Sequence, residues 1–192
     1  MRGILKGYFI QYKFILPETT KHSSYTYQKL FRSLYGYTQI VNKSNGKTYK
    51  YHRPGILSSI SYIRPGKNCV IIPQGALQRL TSFFKTGKNP THAWRTKGDW
   101  KAVYYMNEKE ISIKDASRSI EDLIERTYVG STKKNLLEEL ERAVSGTLSA
   151  EYNSMLLSDA KEIITNPWFS QTYSSSKKLT NFKAFYDSLK RN

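Results

Sequence analysis

Lysines and arginines stand beside glycine or tyrosine at several points in the first half of this chain, a pairing suited to phosphate. Three turns share a Gly-Lys step, at Asn45-Gly46-Lys47, Pro65-Gly66-Lys67 and Thr86-Gly87-Lys88. Glycine lets the backbone approach a ligand with its N–H groups exposed, and the adjacent lysine adds charge where a phosphate would lie. Arg53, Arg64, Arg95 and Lys97 occupy comparable loops. Aromatics interleave with the cations in Tyr49-Lys50-Tyr51-His52-Arg53, in Tyr35-Gly36-Tyr37 and in Trp94-Arg95-Thr96-Lys97-Gly98-Asp99-Trp100. Exposed rings stack on unpaired bases while Arg and Lys hold the backbone. Tyr49, Tyr51 and Arg53 alternate, so a strand puts them on one face. Core packing is the competing expectation for the rings, and for Tyr8 and Tyr12 it prevails.

Reaction chemistry has far less to draw on. A metal-dependent nuclease needs clustered carboxylates beside the scissile phosphate, yet residues 1–107 contain only Glu18 and Asp99. His22, His52 and His92 are scattered, with no second His or Cys at ligand spacing, so neither a zinc site nor any other metal is expected. His92, in Asn89-Pro90-Thr91-His92-Ala93-Trp94, reads as a solvent or phosphate contact. Glu121, Asp122 and Glu125 read as a solvated helix face. No GxxxxGK[ST] or GxGxxG cradle occurs, so no nucleotide cofactor is expected. An enzyme acting on nucleic acid would have to use His92, Asp99 and Glu18; the expectation is a protein without catalysis.

Charge divides the chain. The 192 residues carry a net +16. Residues 1–107 hold 18 Lys and Arg against two acids, whereas residues 108–192 hold 13 of each. The expectation is therefore two parts, a basic nucleic-acid-binding module over 1–107 and a neutral helical module over 108–192. The lone Cys69 fits a reducing interior, and no apolar run approaches the roughly 18 residues of a membrane span, so a cytoplasmic protein is expected.

The elements that must position these residues follow from period. Tyr8, Ile10, Tyr12, Phe14 and Leu16 alternate as one face of a strand ended by Pro17. Tyr27, Leu30, Phe31 and Leu34 predict an amphipathic helix over about 24–35, with Lys29 and Arg32 on its outer face and Gly36 at its end. Asn45-Gly46 between two β-prone runs predicts a hairpin. Cys69–Ile72 predicts a strand buried on both faces, residues 74–86 a helix closed by Gly87, and Trp100–Met106 another strand. The order β-α-β-β-(β)-β-α-β implies an α+β fold, a small antiparallel or mixed sheet with two helices on one face, in the manner of a ferredoxin-like sandwich. From Ile111 the period turns helical, and about four helices are expected: one capped by Ser112 and Asp115, one starting at Ser131, one over about 149–165, and one carrying Leu179 to Leu189.

Leu34-Tyr35-Gly36-Tyr37, Tyr49-Lys50-Tyr51-His52-Arg53-Pro54-Gly55-Ile56-Leu57 and the apolar strand and helix after Arg64 resemble small uncharacterised basic proteins of archaea over residues 30–86. That resemblance implies no activity and transfers no site. From the residues, the expected function is non-enzymatic RNA binding by a ribosomal or ribosome-associated protein, with ribosomal RNA as partner and the C-terminal helices free for a protein contact or for packing on the basic part. Lys29, Arg32, Lys47, Tyr49, Lys50, Tyr51, Arg53, Arg64, Lys67, Lys88, His92, Arg95 and Lys97 are the expected contacts. A DNA-binding chromosomal or viral protein is the alternative, although Lys29-Leu30-Phe31-Arg32-Ser33 is short for a recognition helix.

Overall fold

A computed structural model describes residues 4–88, 99–129, 134–146 and 148–191. Strand β1 (Leu5–Ile15) leads into helix α1 (Tyr25–Tyr35), the hairpin strands β2 (Tyr37–Asn42) and β3 (Thr48–Arg53), then β4 (Ile63–Gly66) and β5 (Cys69–Ile72). A 3-10 turn opens helix α2 (Leu77–Thr86), followed by β6 (Lys101–Ile111). The remainder is α3 (Ile113–Arg126), the short pair β7 (Tyr128–Val129) and β8 (Lys134–Asn135), α4 (Leu136–Val144), α5 (Ala150–Ile164), α6 (Pro167–Thr172) and α7 (Lys177–Arg191). The chain is thus α+β, with seven α-helices among the described residues.

One four-stranded sheet, in the order β4-β5-β1-β6, organises the molecule, and every neighbour is antiparallel. Alternation along β1 sends its side chains to two cores. Ile10, Tyr12 and Phe14 join Val70 and Ile72 beneath Leu30 and Leu34 of α1 and Leu80, Phe83 and Phe84 of α2. Leu5, Ile71 and Ile111 face the other way and join Ala116, Ile120, Leu123, Trp168, Phe169, Leu179 and Phe182 of the later helices. Cys69–Ile72 is a buried strand because it feeds both cores. Polar contacts fasten the same seam. The Trp168 indole N–H donates to the Lys6 carbonyl at 2.9 Å, and the Asn166 amide donates to Ser61 Oγ at 2.8 Å.

Helix starts follow local chemistry. Ser24 Oγ accepts the Tyr27 N–H, and Ser112 Oγ accepts the Asp115 N–H at 3.0 Å while donating to the Asp115 carboxylate, the expected capping pair. The C-terminal part departs from expectation in number, with five helices, α3 to α7, in place of about four. The added one is α6. Asn166-Pro167, which looks like a stop, is a start: Asn166 Oδ1 accepts the Trp168 N–H and proline occupies the first turn. Six residues are too few to display a helical period. Helix α4 starts at Leu136, capped by Asn135, and Ser131 lies outside the described residues.

Candidate nucleic-acid interface

Strands β2 and β3 form a two-stranded ribbon separate from the main sheet. Its loop is Ser44-Asn45-Gly46: the Gly46 N–H donates to the Lys43 carbonyl at 3.0 Å, the Lys43 N–H donates to the Lys47 carbonyl at 2.9 Å, and Gly46 sits at φ +74°. Glycine is favoured there because a type I turn closes into the strands through a left-handed residue. At the other end the ribbon is seated on α1. Gly36, at φ +78°, ends the helix, and the Ile56 and Leu57 N–H groups donate to the Ser33 and Leu34 carbonyls. Gly55 lies so near that a Cβ there would come within 2.2 Å of the Gly36 nitrogen.

The register Tyr37↔Arg53, Gln39↔Tyr51 and Val41↔Tyr49 puts these six residues on one ribbon face. Cations rest on its rings. Arg32 lies 5.0 Å from the centre of the Tyr37 ring and 5.9 Å from that of Tyr25, so it bridges α1 and the ribbon. The Arg53 guanidinium lies 5.7 Å from the Tyr51 ring centre and its Nε–H donates to Gln39 Oε1 at 3.0 Å. Lys43 Nζ stands 4.8 Å from the Tyr49 ring centre. Tyr25, Lys29, Arg32 and Tyr37 also line a shallow depression of about 180 Å³. These cations meet ring faces, which attract positive charge; Arg53 uses Nε on Gln39 and Arg32 donates to Gln28 Oε1 at 3.4 Å, and each guanidinium carries further N–H donors for an anion.

Of the residues expected as contacts, the structure brings Lys29, Arg32, Tyr49, Tyr51 and Arg53 onto this surface and puts Lys47 at the ribbon tip. Lys50 lies on the opposite ribbon face, beside Ile40 and His52. There His52 meets the Tyr128 ring edge-on at 5.6 Å. Arg64, Lys67 and Lys88 are exposed but belong to β4, the β4–β5 turn and the end of α2. Arg64 rests 4.7 Å from the Tyr35 ring centre, beside the Tyr12–Tyr35 hydroxyl pair at 2.8 Å. Burial pushes both of those tyrosines above their ordinary pKa. His92, Arg95 and Lys97 lie outside the described residues.

Sequence reasoning missed Tyr25, Gln39 and Lys43. Tyr25 and Arg32 are seven residues apart, two helical turns on one face, and that spacing was the available signal. Gln39 and Lys43 depend on the hairpin register, which the turn type decides.

The arrangement can hold a polyanion and stack planar groups. Among the described residues no three His, Cys, Asp or Glu side chains are gathered to hold a metal ion, and no helix is long and apolar enough to cross a membrane. The chain matches no protein-family model, no curated relative and no solved structure.

Proposed function

We propose that this chain is a non-enzymatic RNA-binding protein that grips the phosphate backbone along α1 and the β2–β3 ribbon. The observation that carries the reading is the unbroken succession Tyr25, Arg32, Tyr37, Arg53, Tyr51, Tyr49 and Lys43, cations alternating or abutting with tyrosine rings on one surface. A part with 18 cations and two acids repels itself, and a polyanion relieves that repulsion. Exposed tyrosines beside the cations favour RNA, whose unpaired bases are accessible to stacking, over duplex DNA.

Ribosomal RNA is the proposed partner because dispersed phosphate contacts from Lys47, Arg64, Lys67 and Lys88 suit a large folded RNA touched at several points. The strand order, numbered within the main sheet as 4-1-3-2, and the two helices on one face support a ferredoxin-like sandwich with the ribbon inserted after α1.

Purification from native cells at low salt tests the reading. The expected result is co-purifying RNA, rich in ribosomal sequence and released by ribonuclease. Recovery of DNA alone, or of protein free of nucleic acid, would contradict it.

A further inference from the structure

The Tyr49 and Tyr51 rings are 6.4 Å apart, centre to centre, and 17° from parallel. Strand geometry sets that distance, since residues two apart on one strand face are separated by about 6.6 Å. Stacked bases along one nucleic-acid strand are about 3.4 Å apart, so a ring held between two others needs them about 6.8 Å apart. The pair is therefore at the outer limit of ring stacking, a loose contact near the spacing that admits one planar group.

The flanks are cationic on both sides. Lys43 covers the Tyr49 ring and Arg53 covers the Tyr51 ring, while neither cation lies over both. Along the ribbon the order is thus Lys43, Tyr49, Tyr51, Arg53. By backbone register Lys43, opposite Lys47, lies beyond Tyr49, and Arg53 lies beyond Tyr51, so the two cations flank the pair. Arg53 is held in place by its bond to Gln39. Tyr51 is 39% exposed and Tyr49 is half-buried.

We infer that the Tyr49–Tyr51 pair is a slot for one unpaired nucleobase of a single-stranded RNA segment, with Lys43 and Arg53 meeting the phosphates on either side. The inference rests on the RNA-binding reading above and narrows it to unpaired RNA at this surface. Stacking tolerates any base, because each presents a π-face, so the slot selects for an unpaired base and not for its identity.

Binding of a labelled oligouridylate, compared with a fully paired RNA duplex, tests the slot. Tyr49→Leu and Tyr51→Leu are each expected to weaken oligouridylate binding roughly 5- to 150-fold. Duplex binding should fall less than oligouridylate binding, the salt dependence should stay unchanged because no charge is lost, and Tyr51→Trp should restore affinity. In the unaltered protein, a 2-aminopurine placed in the oligonucleotide should lose fluorescence on binding. Leu variants that bind the oligouridylate like wild type, while Lys43→Gln and Arg53→Gln weaken it, would overturn the slot and leave the phosphate reading standing. Binding to duplex alone, or no quenching of 2-aminopurine in the bound state, would also overturn the slot. Absence of affinity for either RNA would overturn both.

Discussion

Single side chains decide how the basic part meets the helices. Arg126, at the end of α3, sends its guanidinium back across the chain. It donates to the Ser58 carbonyl at 3.3 Å and to the Ile60 carbonyl, and lies 4.6 Å from the Tyr62 ring centre. Burial draws its pKa below the ordinary arginine value. Arg126→Met should leave two carbonyls without a donor and lower stability by about 2–4 kcal/mol, read as a lower urea midpoint. No local pattern exposes this role, because the partners are more than sixty residues away in sequence. Glu139 acts within the helical part. Burial alone would raise its carboxyl pKa, but the Tyr152 hydroxyl at 2.9 Å, the Arg142 guanidinium at 2.6 Å and the Lys134 charge hold it below the usual carboxylate value. A depressed folded-state pKa means that the stabilisation is present above the unfolded value and is lost as pH falls through the folded one. Acid titration of thermal stability should therefore show a steeper loss below pH about 4.5 in wild type than in Glu139→Gln; equal slopes would remove Glu139 from the acid response.

At the scale of elements, the ribbon depends on two glycines for different reasons. Gly46 has open space around a Cβ and needs only its left-handed φ, so Gly46→Ala should cost about 1 kcal/mol. Gly55 faces the Gly36 nitrogen and the Leu34 carbonyl, backbone groups that cannot swing aside. Gly55→Ala should cost about 1–3 kcal/mol and weaken RNA binding as well, because it tilts the ribbon away from Arg32. Chemical denaturation and a binding titration on the same samples check both effects. The hairpin itself was legible from Asn45-Gly46, and α1 and α2 from their apolar spacing with Gly36 and Gly87 behind them. Tyr49, Tyr51 and Arg53 were placed on one face correctly by alternation alone. Their neighbours Gln39 and Lys43 were not, because the one-residue difference between a two- and a three-residue loop decides which side chains face them. Helix α6 was hidden by its length. His92, Arg95 and Lys97 belong to a segment on which the structure has no bearing.

For the molecule as a whole, the change of charge at residue 107 falls inside an element. Strand β6 crosses that point, running from Lys101 to Ile111 beside the full length of β1. Leu5 and Ile71 from the basic part are buried with the later helices. A chain ending at residue 107 should lose the cover over Leu5, Phe9 and Ile71, become insoluble or bind a hydrophobic dye, and fail to unfold cooperatively. Cooperative unfolding by that shortened chain would contradict the shared core. The helices so tied hold the sheet and its ribbon while leaving the cationic face of α1 and the ribbon to solvent. Charge distribution was legible in the sequence; the seam between the parts was not, since it is built from contacts such as Trp168 to Lys6 that have no sequence signature. The central claim is that Arg32, Lys43 and Arg53 on this face hold RNA phosphates. Affinity for structured RNA measured from 50 to 200 mM salt, for wild type and for the triple variant Arg32→Gln, Lys43→Gln, Arg53→Gln, tests it most directly. The predicted result is weaker binding with a log–log salt slope shallower by about 2–3 in the variant, close to one released counterion per lost cation; unchanged affinity and unchanged slope would contradict it.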